Sequence, residues 1–565
     1  MAKAKGETGG LDPVTLEILF NALRSVTDET FIALTKSAYS TNIKERRDHS
    51  TAICDPPGRL IVQAENSLPI HLASMTGLMQ ALLAKFPAGD IREGDLFVAN
   101  DPHVAGGTHL PDINLAMPVF LEGKLAAFVC NIAHHADVGG MAPGSMAGGM
   151  SEIYQEGLRI PVVKLFRKGE LQEDLFAVLL LNVRLPEERR GDYYAQIAAC
   201  RLGARRLLEI AERHSPAELA AAYGEIVSRT ERRMRDAVRD ITDGKYSFED
   251  VMDDDGLGAV DIPIKLEITV EGERIHFDFA GTSPQVRGNI NVTLNATQAA
   301  VAYSLKAMLD PEIPNNHGVL DVCEISVEKG SLLHCVAPAP VAARAHTSQR
   351  IIDVVLGALS PALPEAAVGA ANGANTTAVF SGIDPATGQG YLYLETLGGG
   401  FGGRNDRDGT DGVQVHITNT SNLPVEVIES EYPLRVESYG LIEDSGGAGE
   451  YRGGMGIRRV IGPVGHTCTF NGAGERFSHR PWGVFGGASG GSGRFLHVRD
   501  GGGETELEIK PAGIELAAGE KVVVETPGAG GYGDPKQRSA EAIEHDRASG
   551  KFSDEYVKRN YRGDG

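Results

Sequence analysis

The first forty residues carry apolar side chains at the spacing of an amphipathic helix. Asp12 followed by Pro13 is a typical helix start, because aspartate caps the first turn and proline fits the first helical position. The pattern therefore predicts a long helix from Pro13 to about Tyr39. Its apolar residues recur every three or four positions, at Leu16, Leu19, Leu23 and Val26.

Further along the chain the apolar pattern changes several times. Residues 42–161 contain short apolar runs, such as LFVAN and AAFVCNIA, between loops rich in glycine, proline, aspartate and histidine, which favours strands. Residues 196–241 are rich in helix-forming residues, and Ser215–Pro216 in their middle predicts two antiparallel helices. From 246 to 327 apolar and polar residues alternate, and we expect a hairpin at Glu271–Gly272.

The second half of the chain combines short helices with a Gly-rich region. Helices are expected over 299–309 and 350–359, strands from 398 to about 535, and a helix or an arm at the end. This irregular mixture predicts an α+β fold: multidomain mixed β-sheets with inserted helices and a Gly-rich β C-terminal region. The expected regions are an N-terminal region (1–195), a helical segment (196–245), a central α+β region (246–440), a Gly-rich β region (441–535) and a C-terminal arm (536–565).

The charge of the chain narrows its range of partners. Its 565 residues include 54 Lys and Arg against 76 Asp and Glu, a net charge of −22. A surface this acidic repels phosphate backbones and anionic lipid, so nucleic-acid and membrane roles are disfavoured. The N-terminus lacks an apolar leader pattern, no run is long enough to span a membrane, and the six cysteines include no CxxC pair. The sequence therefore predicts a soluble cytoplasmic protein without a disulfide framework.

Histidine is concentrated in one part of the N-terminal region, in the segments NDPHVAGGTHLPD and NIAHHADVGG. His109 and Asp112 flank a proline, and Gly106 and Gly107 would let their loop approach an ion closely. His134 ends an apolar run that is expected to be a strand. Imidazole and carboxylate together suit Zn, Mn or Fe(II). We therefore predict a divalent-metal site formed by His109, Asp112 and His134.

Other histidines and one basic segment carry weaker expectations. His71, His103 and His135 are each expected to be hydrogen-bonded structural residues or to support the metal ligands. The segment RAHTSQR, with Arg344 and His346, could bind a carboxylate or phosphate of the substrate, although an exposed turn explains it equally well. The chain contains neither GxxxxGK[ST] nor a GxGxxG between a strand and a helix, so it is expected to bind no nucleotide cofactor itself.

Several longer segments resemble one known family. The hydantoinase B/oxoprolinase family has similar segments, in the same order, to NIKERRDHSTAICDPPGRLI, NDPHVAGGTHLPDINLAMPVF, AHHADVGGMAPGSM, DFAGTSPQVRGNINVT, GGGFGGRNDRDGTDG and PGAGGYGDP. The resemblance runs from Asp12 to Pro535. The family includes the B-type subunits of ATP-dependent hydantoinases and lactamases, the C-terminal half of oxoprolinase, and the corresponding subunits of acetone and acetophenone carboxylases.

This resemblance implies a division of labour between two subunits. A hydantoinase A-type partner, with ATP and Mg, would phosphorylate a cyclic amide, and the B-type chain would hold one divalent ion (Zn, Mn or Fe). The family's metal motif falls on His109, Asp112 and His134. A further carboxylate falls on Asp48, with Glu45 as the less favoured choice. Water activated by the ion would then attack the phosphorylated substrate and open its ring.

The resemblance also implies supporting residues and leaves the reaction branch open. His135 and Asp137 would act in catalysis by orienting the ligands or moving protons. The expected assembly is a hetero-oligomer such as A2B2. The main alternative is the corresponding subunit of an ATP-dependent ketone carboxylase of the acetone or acetophenone type. A non-catalytic scaffold for the A-type partner and a standalone metal hydrolase are the remaining interpretations.

Overall fold

Three long helices and a seven-stranded sheet organise the first part of the protein. The computed structural model describes residues 11–562; residues 1–10 and 563–565, at the ends of the first and last predicted regions, lie outside the described residues. The elements of this part are α1 (Pro13–Ser37), α2 (Thr41–Lys44), β1 (His49–Cys54), β2 (Leu60–Gln63), α3 (His71–Lys85), β3 (Leu96–Ala99), β4 (Asp112–Leu121), β5 (Lys124–His134), β6 (Val163–Arg167), β7 (Glu170–Leu171), α4 (Glu173–Leu181), α5 (Pro186–Ala211) and α6 (Pro216–Arg239).

Helices cover both faces of this first sheet. Its strand order is β2-β1-β5-β4-β3-β6-β7, and neighbouring strands are antiparallel. Ala52 and Cys54 of β1 pack in the cluster that contains α3, whereas Ile53 between them packs with α1, α5 and α6. Because both faces are buried, the strands appear in the sequence as short continuous apolar runs.

The predicted helix starts are confirmed. Helix α1 follows directly on Asp12, whose side chain accepts a hydrogen bond from the backbone N–H of Thr15 in the first turn. The helix ends at Ser37, two residues before the predicted end. The predicted break at Ser215–Pro216 is the start of α6. There, Ser215 and Glu218 exchange hydrogen bonds in a capping box.

One predicted region boundary cuts through a helix. The boundary between residues 195 and 196 falls inside α5, which begins at Pro186. Helix α5 packs against α1, β4 and β5, because its buried face completes the cover of the first sheet. The helix therefore belongs to the N-terminal region rather than to a separate helical segment.

The central part is a four-stranded sheet with helices packed on it. The strand order is β11-β10-β9-β8, and the predicted hairpin is confirmed, since Glu271 pairs with Arg274 across the turn. Helix α9 is buried along its whole length and begins at Arg344, six residues before the predicted start. The elements are β8 (Gly244–Asp254), β9 (Val260–Glu271), β10 (Arg274–Asp278), α7 (Leu294–Leu309), α8 (His317–Leu320), β11 (Cys323–Ser326) and α9 (Arg344–Leu359).

Two further sheets form the Gly-rich part, with strand orders β13-β12-β16-β19 and β14-β15-β20-β17-β18. The predicted α+β fold with a Gly-rich β region is thus confirmed, although the boundary at 440/441 falls inside β14. The elements are β12 (Thr376–Ile383), β13 (Gly390–Leu397), α10 (Val425–Glu431), β14 (Leu434–Leu441), β15 (Ile457–Pro463), β16 (Cys468–Ala473), β17 (Arg494–Val498), β18 (Glu504–Glu506), β19 (Ile514–Leu516), β20 (Lys521–Glu525), α11 (Ala540–Ala548) and α12 (Asp554–Val557).

Glycine clusters allow loops of this part to lie against one another. A Cβ on Gly400 would lie 2.1 Å from the carbonyl oxygen of Gly454, a distance that no side chain tolerates. Residues 540–557 form helices α11 and α12, the first of the two expected outcomes, and pack on the same part rather than extending as an arm. Phe552 and Tyr556 stack with ring centroids 4.3 Å apart, and both belong to the cluster that contains Met455.

Two absences expected from the sequence concern membranes and disulfides. None of the helices within residues 11–562 is long and apolar enough to cross a membrane. All six cysteines are free thiols, five of them buried.

Candidate metal centre

Three predicted metal ligands meet at the ends of two central strands of the first sheet. Asp112 is the first residue of β4 and His134 the last of β5, and the two are paired in the antiparallel register. His109 lies three residues before Asp112 in the preceding loop. One donor atom of each residue lies within 4.8 Å of the other two, and all three side chains are buried. The predicted convergence of these residues is thus present in the structure.

The environment of His109 leaves a ring nitrogen and a carboxylate oxygen facing each other. His109 Nδ1 donates to the carbonyl oxygen of Ala342 at 3.0 Å, and burial lowers the pKa of the ring, so it is neutral with its lone pair on Nε2. Nε2 lies 3.0 Å from Asp112 Oδ1, and within the described residues 11–562 neither atom has another hydrogen-bond partner. Two buried acceptors in contact repel each other unless a cation lies between them. This pair therefore fits a metal ion.

The second oxygen of Asp112 is neutralised by the protein itself. Arg344 Nη2 donates to Asp112 Oδ2 at 2.9 Å, and Thr108 Oγ1 donates to the same oxygen at 3.2 Å. His71 Nε2 lies 3.8 Å from it. Burial opposes ionisation, but the Arg344 guanidinium favours the charged form and helps to hold the pKa of Asp112 well below its usual value. Asp112 is therefore a carboxylate with one oxygen paired and the other available.

Asn42, which the sequence did not single out, fixes the ring of His134. Its Nδ2 donates to the carbonyl oxygen of His134 at 2.7 Å and lies 2.9 Å from ring atom Nδ1. Burial and the neighbouring His109 ring lower the pKa of His134 well below its usual value, which keeps the ring neutral. A neutral, oriented imidazole is the form that binds metal ions.

Of the two acids proposed as a further ligand, only Asp48 lies beside the cluster. It lines a cavity of about 30 Å³ together with His71, His134 and Arg344, and burial raises its pKa to about 6. Glu45 instead ends α2 with a partly exposed side chain 3.9 Å from Lys44. Asp48 as a ligand remains a prediction, and Glu45 lies outside the cavity wall.

The structure places His135 and Asp137 in other contacts. His135 Nε2 pairs with Gln196 Oε1 of α5 at 3.0 Å. Asp137 accepts from the backbone of Gly139 and Gly144 and from the side chain of Arg184, and so orders its own loop. Among residues 11–562 no hydrogen bond joins either side chain to the donor cluster. Their predicted catalytic roles receive no support from these contacts.

The two predicted substrate-binding residues are separated by the structure. RAHTSQR is the buried start of α9 and not an exposed turn. Arg344 therefore lies in the site, although it is engaged by Asp112. His346 lies near Lys510 instead. Burial and the charge of that lysine lower the pKa of His346 to about 3. It is not part of the cavity wall among the described residues.

Glu156 was not predicted from the sequence to take part in the site. It supports the backbone that His109 contacts. Its Oε1 accepts the backbone N–H groups of Val341 and Ala342, both at 2.7 Å. These bonds hold Ala342, the residue whose carbonyl oxygen accepts the hydrogen bond from His109 Nδ1. A lone glutamate outside the histidine-rich segments gives no sequence signal of this role, because the contact depends on a loop nearly 190 residues later.

Glu156 is also expected to make stability depend on pH. Burial raises its pKa to about 8, so the folded protein keeps a proton that the unfolded chain releases above pH 4.5. Stability from this group is therefore lost as pH rises from 4.5 to 8, by about 1.4 kcal/mol per pH unit. Glu156→Gln, which mimics the protonated acid, should match wild type near pH 5 and exceed it at pH 8. Urea unfolding at both pH values measures this, and parallel curves for the two proteins would contradict it.

Gly106 positions the His109 loop against α3 rather than against an ion. Its φ is +75°, and a Cβ there would lie 2.0 Å from the carbonyl carbon of Gly77. We expect Gly106→Ala to destabilise the protein by roughly 2 kcal/mol or more and to lower its metal content. Gly123→Ala is the matched control, since its φ is +73° but nothing lies within 4 Å. Equal urea midpoints for the two variants would rule out the steric explanation.

The fold and the cluster define a class: a large α+β protein with several sheets and a buried imidazole–carboxylate set suited to a divalent ion. The model of the hydantoinase B/oxoprolinase family matches residues 12–535, so the chain belongs to this family. The family match thereby confirms the resemblance that the sequence segments indicated.

Full-length relatives agree with this assignment. The B chain of a putative D-/L-hydantoinase from Pseudomonas sp. (strain NS671) is 31% identical over 99% of this chain and 96% of that protein. The beta chain of caprolactamase from Pseudomonas jessenii is 31% identical over 98% of this chain and 96% of that protein. The crystal structure of the ATP-dependent caprolactamase from that organism matches with a TM-score of 0.90 at 29% identity, over 98% of this chain and 96% of that chain.

A more distant structure shares the fold. The nucleotide-free structure of acetone carboxylase matches 97% of this chain and 79% of that chain with a TM-score of 0.89. At 19% identity this similarity shows the common architecture alone.

Proposed function

We propose that this chain is the metal-binding B-type subunit of an ATP-dependent cyclic-amide hydrolase. It would act with a hydantoinase A-type partner, in a hetero-oligomer such as A2B2. Two relatives of nearly equal length support this proposal, because they are named as subunits of a hydantoinase and of caprolactamase. Hydantoins and caprolactam are both cyclic amides.

The observation that carries the proposal is the unpaired contact between His109 Nε2 and Asp112 Oδ1. His134 completes a set of two imidazoles and one carboxylate, which suits Zn, Mn or Fe. Asp48 lies on the adjoining cavity wall and is our candidate for a further ligand. When bound, a divalent ion supplies Lewis acidity at this position and lowers the pKa of water beside it.

The remaining residues orient and insulate these donors. The carbonyl oxygen of Ala342 selects the His109 tautomer whose lone pair is on Nε2, and Asn42 fixes the ring of His134. Arg344 neutralises one oxygen of Asp112 and so leaves the other for the ion. Because every donor is buried, bulk water is largely excluded from the reacting carbonyl group.

The division of labour follows from what the sequence lacks. It contains no phosphate-binding loop motif, so ATP and Mg are assigned to the A-type partner. Phosphorylation there would activate an amide that is too stable for direct hydrolysis. The activated substrate would then react beside the donor cluster of this chain.

The test is a metal analysis and an assay of the complex co-expressed with an A-type chain from the same source. We expect close to one equivalent of Zn, Mn or Fe, and ATP-dependent opening of hydantoin, caprolactam or 5-oxoproline without bicarbonate. Ketone carboxylation, the alternative that the family resemblance leaves open, is the second candidate. ATP use that requires both bicarbonate and a ketone would establish that candidate instead. Ring opening by the single chain without ATP would indicate a standalone hydrolase.

A further inference from the structure

Arg46 is a buried cation without a counter-charge in contact. Its guanidinium donates to Asn42 Oδ1 and Thr396 Oγ1 and lies 3.4 Å from Thr420 Oγ1, while its Nε has no partner. Within residues 11–562 its hydrogen-bond partners are all neutral, and the nearby acid on which its charge acts is Asp48, whose pKa it lowers. A buried guanidinium without a carboxylate in direct contact is unfavourable, which points to an anion nearby in the working protein.

The two hydroxyl groups that Arg46 contacts both line the cavity beside the donor cluster. A guanidinium only donates, so Thr396 Oγ1 and Thr420 Oγ1 must accept from it. Their own hydroxyl hydrogens are then free to donate. In the described part of the chain neither hydroxyl has an acceptor. The cation behind them makes both hydroxyls stronger donors.

Asn375 adds a third donor on the same wall. Its Oδ1 accepts from Gln349 Nε2 and from Thr418 Oγ1, each at 3.2 Å. The amide nitrogen of Asn375 is therefore the group left for a ligand, and Asn375 lines the cavity. Several hydrogen-bond donors that line one small cavity are typical of an oxyanion site.

The other charges around the cavity are already engaged. Arg344 is paired with Asp112, and in the proposed function the charge of Asp48 is taken by the metal ion. The charge of Arg46 then remains uncompensated. The cavity of about 30 Å³ has room for roughly two or three waters, which is the size of a small head group and not of a ring.

We propose that Thr396, Thr420 and Asn375, polarised by Arg46, form a subsite for an oxyanion head group of the substrate. The ligand class is a phosphoryl or a carboxylate group. This inference rests on the proposed function, in which the phosphorylated cyclic amide presents a phosphoryl group beside the donor cluster.

The test is calorimetric titration of the purified chain with inorganic phosphate and, separately, with acetate. Thr396→Val removes one donor at nearly constant volume and is expected to weaken binding of the preferred probe at least about tenfold. Thr396→Ser, which keeps the hydroxyl, should restore it. Thr377→Val is the matched control, because Thr377 pairs with Thr396 across the two strands but donates to the backbone of Asn375. It should bind as wild type does.

The metal content and melting temperature of each variant separate this subsite from the proposed function. Preference for phosphate assigns a phosphoryl head group, and preference for acetate assigns a carboxylate. The subsite is refuted if wild type binds neither probe, or if Thr396→Val binds both as tightly as wild type. A wild-type chain that holds no metal but loses phosphate or acetate binding in Thr396→Val would refute the proposed function and leave the subsite intact.

Discussion

Replacing His109 by alanine is expected to abolish metal binding and turnover while the complex with the A-type partner still assembles. The variant removes the Nε2 donor that faces Asp112 Oδ1 at 3.0 Å and leaves two of the three clustered donors. Because changes around a metal ligand already cost 10- to 100-fold, loss of the ligand itself should lower turnover by at least about 100-fold. Elemental analysis, the ATP-dependent ring-opening assay and co-purification measure the three outcomes.

His103→Ala is the matched control for this result. His103 lies in the same loop and contacts the carbonyl oxygen of Ala339, but it has no contact with the donor cluster. Its variant should retain metal and activity. If His109→Ala also retained both, the chain would be a scaffold for its partner, and the proposed function would be wrong.

The largest effect on stability is expected from Arg476→Met. Arg476 is fully buried and donates to Asp353 Oδ2 at 2.6 Å and to Asp250 Oδ2 at 2.7 Å. Its guanidinium helps to hold the pKa of both acids below the usual value. Methionine would remove the cation that two buried carboxylates share and leave Asp250 with Arg350 and Asp353 with the Ala371 N–H, a loss of about 3 kcal/mol or more. Urea unfolding measures the change.

The same substitution at an exposed ion pair should have no measurable effect. Arg407 pairs with Asp406 on the surface, so water replaces the lost contact in Arg407→Met. Comparable destabilisation of the two variants would show that burial of the Arg476 network is not the cause. Because Asp353 lies on α9, which also carries Arg344, we expect Arg476→Met to reduce metal content as well.

Local patterns identified several elements correctly. Helix α1, the helix start at Ser215–Pro216 and the hairpin at Glu271 each depend on residues close together in sequence, and all three were predicted. The predicted boundary at 195/196 lies inside α5, because packing overrides composition there. Helix α5 looks like part of a helical segment, but its buried face covers the first sheet.

The donor cluster was predictable for a related reason. His109 and Asp112 are three residues apart, and Asp112 meets His134 because their strands are neighbours joined by a short turn. The partners that complete the site were not predictable in this way. These partners come from four separate parts of the chain: Asn42, Glu156, Thr396 and Arg344. Arg344 reaches Asp112 because α9 is a buried helix.

Sequence alone therefore determined the family, the α+β class and the three residues that converge on one buried point. These depend on ordered motifs, local periodicity and neighbouring strands, all of which act over short stretches of chain. Tertiary structure alone decided which charges are paired, so that among residues 11–562 Arg344 contacts a carboxylate directly whereas the hydrogen-bond partners of Arg46 are neutral. The pairing of buried charges depends on long-range packing and desolvation, which no local pattern records.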